Sequence, residues 1–85
     1  MPQTLGDRIR AARLRYGMSQ AELARRLDVS PTTMNSIEAG RTLDPGVLKV
    51  KEIARILRVN MNYLVGFTDN MESEYEAAAL DLVGA

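Results

Sequence analysis

Apolar residues recur at helical spacing through most of the first 66 residues, and no stretch alternates apolar and polar residues as a strand would. The repeat predicts a first helix over about residues 5–16, which Thr4 can cap and Gly17 can end. Two shorter repeats predict a second helix over about residues 20–27 and a third over residues 31–39. The pattern therefore indicates an all-α fold that begins with three helices.

The second and third predicted helices have clear start and stop signals. Ser19 and Ser30 stand where an N-cap hydroxyl accepts hydrogen bonds from unpaired helix N–H groups, and Glu22 completes a capping box with Ser19. Pro31 takes the first helical position of the third helix, and Gly40 is placed to end it in a left-handed conformation. Two short helices joined by a tight turn form a helix-turn-helix, whose second helix fits the DNA major groove.

Two more helices are predicted before residue 67. Asp44 and Pro45 form an N-cap followed by a proline at the first position of a fourth helix. Asn60 can cap a short fifth helix, which Gly66 ends. The fold is therefore predicted to be a five-helix bundle.

From residue 67 the composition changes. Asp69 and Glu72 have capping-box spacing and predict a sixth helix. Its apolar stripe would contain Met71, Tyr75, Ala78 or Ala79, and Leu82. Because so short a helix is marginal alone, the stripe needs a surface to cover it, either its own domain or a second copy of the chain. We therefore divide the chain into a helical domain, residues 1–66, and an acidic tail, residues 67–85.

Charge separates these two parts, although the whole chain is neutral. Residues 1–66 contain all eleven Lys and Arg against six Asp and Glu, a net charge of +5. Residues 67–85 contain five acidic residues and no basic one, a net charge of −5. A basic helical domain suits a phosphate-binding surface, and the acidic tail could bind a basic protein partner.

The composition also narrows the function. The chain has 85 residues and contains neither cysteine nor histidine, so the usual soft-metal ligands and the commonest catalytic side chains are missing. We therefore expect no enzyme activity, metal or cofactor. No apolar run approaches the ~20 residues of a membrane span, and no signal-peptide pattern is present, so we expect a cytoplasmic protein without membrane contact.

The stretch over residues 19–41 resembles the helix-turn-helix of the phage-repressor and Cro-like (XRE-type) family of transcription regulators. The shared residues are Ser19, Gln20, Leu23, Ala24, Val29, Ser30, Ile37, Glu38, Gly40 and Arg41. The resemblance extends over about residues 4–66, and it implies a five-helix lambda-repressor-like domain with a bacterial or phage origin.

The resemblance also implies which residues meet double-stranded DNA. It places Thr32, Thr33 and Ser36 at base-contact positions and Gln20 at a phosphate contact. The outward side of the third helix adds Asn35 to the expected base contacts. The start of the second helix adds Ser19 to the expected phosphate contacts, and the residues just after the third helix add Arg41 and Thr42. Asn35 is the one side chain of this set that could bind adenine through two hydrogen bonds. The alternative for Thr32 and Thr33 is that they only help to cap the third helix.

Two further contacts follow from the family pattern. Arg13 and Glu38 are expected to form a partly buried ion pair between the first and third helices. A homodimer interface is expected around the fourth and fifth helices, formed by Leu43, Val47, Met61, Asn62, Tyr63 and Val65.

The sequence thus predicts a sequence-specific regulator, a repressor that acts as a homodimer on a palindromic operator. Two alternatives stay open at this point. One is a protein-interaction module such as the antitoxin of a toxin–antitoxin pair, and the other is a restriction-system controller protein.

Overall fold

The computed structural model describes residues 4–41 and 45–72, and over these ranges it contains five helices and no strand. They are α1 (Leu5–Tyr16), α2 (Gln20–Leu27), α3 (Pro31–Ala39), α4 (Val47–Leu57) and α5 (Met61–Leu64). The bounds predicted for the first three helices are confirmed, and so is the all-α, lambda-repressor-like fold. No helix in the described ranges is long and apolar enough to span a membrane.

Local capping explains the starts of the first three helices. The Thr4 hydroxyl accepts from the Asp7 N–H at 3.0 Å, and the Asp7 carboxylate accepts in return from the Thr4 N–H. Ser19 and Ser30 accept in the same way at the starts of α2 and α3. The capping box predicted for α2 is half present, because the Glu22 carboxylate pairs instead with two arginines of its own helix.

The prediction for the start of α4 is wrong. The helix begins at Val47, its N-cap is Gly46, and no side chain caps it. Gly46 has φ +92° and ψ 153°, a conformation that a residue with a Cβ atom rarely adopts. The chain therefore enters α4 through this glycine, and Pro45 lies before the helix. Asp44 lies outside the described residues.

The beginning of the predicted sixth helix is also wrong. Residues 69–72 are not helical. The Asp69 carboxylate accepts from Arg8 at 2.8 Å, so it does not cap a helix, and the Glu72 N–H donates to Asn70 Oδ1 instead. Met71 packs against the core, and its carbonyl accepts from the Asn60 N–H at 3.0 Å. Tyr75, Ala78, Ala79 and Leu82 lie outside the described residues.

One apolar core joins all five helices. Its most completely buried side chains come one from each helix: Ile9, Leu23, Met34, Ile53 and Leu64. At Gly6 the backbone of α1 lies directly against the end of α3. A Cβ atom there would lie 2.6 Å from the Ile37 carbonyl oxygen and closer still to that of Glu38. This close approach holds the third helix against the first and leaves its other face outside.

Candidate nucleic-acid interface

The outer face of α3 is polar. Thr32, Thr33 and Asn35 are exposed and Ser36 is half-buried, whereas Met34 and Ile37 are buried. These exposures follow the period of the helix, in which apolar residues face the core and the intervening ones face outward. The structure therefore brings all four of the predicted base-contacting side chains to the outer side of one helix.

Gln20, the first residue of α2, links this face to the protein interior. Its Nε2 donates to Glu38 Oε1 at 3.2 Å, and its Oε1 accepts from Asn35 Nδ2 at 3.3 Å. One amide therefore contacts two side chains of α3 that lie on the same side of the helix. The family resemblance implies that this glutamine braces the recognition helix, and these two hydrogen bonds are the contacts through which it would do so.

Arg41 completes the arrangement from the other side. Its Nη2 donates to Asn35 Oδ1 at 2.6 Å. Because a guanidinium group only donates, this contact identifies the amide oxygen of Asn35, and the contact with Gln20 identifies its nitrogen. Each of the two atoms still has one hydrogen-bonding position unused, a lone pair on Oδ1 and an N–H on Nδ2.

A buried ion pair lies beneath these amides. Arg13 Nε donates to Glu38 Oε2 at 2.8 Å and its Nη2 donates to Glu38 Oε1 at 3.0 Å, while its Nη1 donates to the Met18 carbonyl. The Glu38 side chain is 4% exposed. The pair expected between the first and third helices is therefore present, and its two-pronged geometry fixes the carboxylate that holds Gln20.

Thr32 and Thr33, at the start of α3, were predicted either to contact bases or only to help cap the helix, and the structure distinguishes the two residues. Thr33 takes part in the cap, because its N–H donates to the Ser30 hydroxyl and its own hydroxyl oxygen accepts from Ser30 at 2.9 Å. The Thr33 methyl group and hydroxyl proton stay available to a ligand. Thr32 is exposed and has no cap contact among the described residues.

The predicted phosphate contacts surround the same face. Ser19 and Arg41 are exposed, Gln20 is half-buried, and Thr42 lies outside the described residues. Arg10, which is also exposed, lines a groove of about 340 Å³ together with Gln20 and Asn35. Arginine and the N-terminus of α2 thus border the polar face of α3, as phosphate binding requires.

The two arginines of α2 already form ion pairs within their own helix. Arg25 donates to the Glu22 carboxylate at 2.6 Å, and Arg26 donates to it at 3.0 Å. Their hydrogen bonds hold the pKa of Glu22 below its usual value. Because Glu22 offsets one of their two charges, these arginines add less to the field around the site than two unpaired cations would.

Residues 9–64, more than half of the chain, match a helix-turn-helix family. The chain belongs to this family. The resemblance to XRE-type regulators is thereby confirmed, and as a member of the family the chain is a DNA-binding regulator of transcription.

Solved structures of other helix-turn-helix proteins have the same fold. Bacillus subtilis SinR, the master regulator for biofilm formation, was solved in complex with DNA; it is 28% identical, with a TM-score of 0.66, over 72% of this chain and 97% of that one. The P22 c2 repressor with synthetic operator 9T is 28% identical, with a TM-score of 0.66, over 74% and 94%. The SinR–SinI complex matches 94% of this chain and 79% of that one, at 26% identity and a TM-score of 0.69.

The residues predicted for the dimer interface differ in how far their side chains are exposed. Val47 and Val65 are exposed at 67% and 46%, Asn62 is exposed, and Met61 is half-buried. Tyr63 is 3% exposed in the single chain, so its side chain offers little surface for such an interface. Arg8 lies over its ring, 4.7 Å from the centroid, and burial raises the pKa of its phenol. Leu43 lies outside the described residues.

Arg8 is the important residue that sequence reasoning did not identify. Its side chain is 10% exposed and donates to the Tyr63 carbonyl at 3.0 Å, the Thr68 carbonyl at 2.9 Å and the Asp69 carboxylate at 2.8 Å. It therefore joins Thr68 and Asp69 to α1. A signal was available, because Arg8 falls at helical spacing between the apolar residues Leu5 and Ala12.

Proposed function

We propose that this helix-turn-helix protein is a repressor that binds a palindromic operator as a homodimer, with α3 in the major groove. The observation that carries the proposal is the polar outer face of α3, whose Asn35 amide is held by Gln20 and Arg41. Support also comes from SinR and the P22 c2 repressor, which share the fold and were solved with DNA.

Asn35 would read adenine. Its unused lone pair and unused N–H form a neighbouring acceptor and donor, which complement the N6 amino group and the N7 atom of adenine in the major groove. A flip of the Asn35 amide would exchange its acceptor and its donor. The hydrogen bonds with Gln20 and Arg41 would prevent that flip. Bases with the opposite order of groups are then disfavoured.

The rest of the operator would be read more weakly. Helix α3 contains no Lys, Arg or Gln, so it lacks the paired arginine–guanine contact. Thr32, Thr33 and Ser36 offer hydroxyl groups, and the threonines also offer methyl groups that can pack on thymine. We expect DNA shape and bridging waters to supply the remaining discrimination.

A dimer would supply the affinity that one short helix lacks. Val47 and Val65 border an apolar groove of about 310 Å³ at α4 and α5, together with Met61. Two copies joined there would present two copies of α3 to half-sites about 34 Å apart along one face of the duplex. An interface with two-fold symmetry then implies an operator with two-fold symmetry.

Selection of bound sequences from a random DNA pool tests the proposal. We expect a two-fold symmetric site with a preferred adenine in each half. The Asn35→Ala variant should lose that preference, by roughly 5- to 140-fold in affinity, because a paired base contact contributes about 1–3 kcal/mol. Asn70→Ala is the matched control, since this exposed asparagine lies outside α3.

Three results would contradict parts of the proposal. A selected site without two-fold symmetry would contradict binding as a homodimer. An equal loss of affinity for Asn35→Ala at every DNA site would contradict the contact with adenine. Failure to bind any duplex would remove the function itself. Binding should also weaken as salt rises, with a slope of about −0.9 in log affinity per neutralised phosphate.

Regulation by a second protein is the other candidate function. The SinR–SinI complex favours it, because it contains a protein partner and matches 94% of this chain, a larger share than the DNA complexes match. Purification of the chain from its own cells with any tightly bound protein would test this possibility. A partner bound in stoichiometric amount would support it, and a homogeneous chain would count against it.

A further inference from the structure

A second cationic surface lies away from the outer face of α3. We call it the basic cluster; it comprises Arg15, Tyr16, Arg26, Arg55 and Arg58, at the C-terminal ends of α1, α2 and α4. The predicted DNA contacts begin instead at the N-terminal ends of α2 and α3. Arg26 therefore lies at the opposite end of α2 from Ser19 and Gln20, two of the predicted phosphate contacts.

The basic cluster has two concave surfaces, and Tyr16 and Arg58 line both of them. One groove of about 300 Å³ is lined by Arg15, Tyr16, Arg58 and Val59, among others. The neighbouring groove of about 460 Å³ is lined by Tyr16, Arg26, Arg55, Ile56 and Arg58. Tyr16 is 43% exposed, so an aromatic ring and arginines are offered together to a ligand.

Two charges of the cluster are uncompensated within the described residues. Arg26 pairs with Glu22 and Arg55 pairs with Glu52, whereas Arg15 and Arg58 form no ion pair within the described ranges. Helix dipoles favour cations at these ends, which explains their placement but leaves the exposed positive charge in place. The cluster therefore attracts acidic groups.

The chain leaves the described region next to this cluster. The Asn60 N–H donates to the Met71 carbonyl at 3.0 Å, and Met71 packs against the core. Val59, the residue before Asn60, lines the smaller groove together with Arg58. Residues 73–85 therefore begin two residues after Met71, whose carbonyl is bound by a residue two positions along the chain from Arg58.

Those thirteen residues have the composition that the cluster requires. They contain Glu74, Glu76 and Asp81 and no basic residue, and the apolar residues Tyr75 and Leu82 are next to these acidic residues in the sequence. We infer that residues 73–85 bind to the basic cluster of their own chain, with carboxylates on Arg15 and Arg58 and apolar side chains beside Tyr16. The competing apolar groove at Val47 offers no unpaired cation, because Arg8, the one cation lining it, is already bonded to Asp69.

A spin label tests this inference without DNA, so its outcome is independent of the proposed function. The chain has no cysteine, so Ala85→Cys creates one site for a nitroxide label in the full-length protein. We expect the amide signals of Tyr16 and Arg58 to lose most of their intensity while the label is paramagnetic. The loss should diminish as salt screens the charges.

The matched variants separate charge from proximity. Arg15→Gln with Arg58→Gln should restore the signal of Tyr16, whereas Arg10→Gln with Arg41→Gln removes the same charge beside α3 and should not. An otherwise unchanged amide spectrum shows that each variant is folded. Equal behaviour of the two double variants would overturn the inference.

The location of the signal loss decides the remaining cases. Loss centred on Val47 and Val65, loss centred on Thr32 and Ser36, or no loss at any residue would each overturn the inference. Loss that arises only between a labelled chain and a separate isotope-labelled chain would also overturn it, since the occupant would then be a second copy.

Discussion

Arg8 and Arg13 lie just over one turn apart on α1 and are equally buried, yet their partners differ in nearly every respect. Glu38, the partner of Arg13, is 4% exposed and belongs to α3. Asp69, the partner of Arg8, is 65% exposed and lies in the segment after α5. One arginine therefore joins α1 to α3, and the other joins it to the beginning of the tail.

The difference shows that the burial of a cation does not by itself determine how much its ion pair contributes to the stability of the fold. Arg13 depends on Glu38 for charge compensation, because its other described contact is the Met18 carbonyl. Arg8 has two carbonyl acceptors and the face of Tyr63 in addition to Asp69. We therefore expect the two carboxylates to differ strongly in their effects on stability.

Removal of Glu38 should have the largest effect. Glu38→Ala leaves the buried Arg13 without its counter-charge, which costs roughly 3–5 kcal/mol of unfolding free energy. In a domain of this size that lowers the melting temperature by ~10 °C or more. Thermal unfolding followed by circular dichroism measures the change.

Glu52→Ala is the control for this substitution, because it removes a glutamate from the exposed ion pair with Arg55. Its effect should stay within about 0.5 kcal/mol. A melting temperature for Glu38→Ala within a degree of the original would contradict the stabilising role of the pair. If Glu38→Ala remains folded, it should also weaken DNA binding, because Gln20 loses its acceptor on α3.

The close approach at Gly6 tests the same helix contact without any charge. Gly6→Ala places a methyl group against the carbonyl oxygens of Ile37 and Glu38, which are backbone atoms and must move. We expect a loss of roughly 1–3 kcal/mol from overpacking. Chemical denaturation measures the loss, and Ala11→Gly on the same helix is a useful comparison, since it should cost only about 1 kcal/mol through backbone entropy. An unchanged free energy of unfolding for Gly6→Ala would mean that α1 and α3 can move apart at little cost.

Local signals explain how much of this fold could be predicted from the sequence. Ser19, Ser30 and Gly40 act through hydrogen bonds and backbone angles within a few residues of themselves, so the bounds of α2 and α3 could be predicted. The start of α4 could not, because Pro45 suits the first helical position but Gly46 adopts a positive φ and delays the helix. Local rules gave no basis for choosing between these two residues.

Contacts between distant residues explain what was missed. Arg8 meets Thr68 and Asp69 sixty and sixty-one residues further along the chain, so its role depends on the complete fold. Arg8 also lies over the ring of Tyr63, which is buried and therefore has little surface for the predicted interface. Asp69 has capping-box spacing with Glu72, but an arginine in the folded protein takes the carboxylate instead.

The candidate site shows the same division. The outward positions of α3 follow from helix periodicity, which is why Thr32, Asn35 and Ser36 could be predicted as a group. The contacts among Gln20, Asn35 and Arg41 could not, because they join three separate parts of the chain. A predicted phosphate contact and a predicted base contact are therefore parts of one arrangement.

Removal of the Asp69 charge should have the smallest effect on the free energy of unfolding. It is also the most direct test of the difference between the ion pairs of Arg8 and Arg13. Asp69→Asn leaves Arg8 with its two carbonyl acceptors and the Tyr63 ring, and the lost charge was mostly exposed, so we expect a loss below about 1 kcal/mol. The effect should be local: hydrogen exchange should quicken at the Asn60 N–H, which donates to Met71, and stay unchanged at the centre of α2. Glu72→Gln, an exposed change outside any described ion pair, should alter neither. A loss as large as that for Glu38→Ala would show that the segment after α5 is as important to the fold as the contact between α1 and α3.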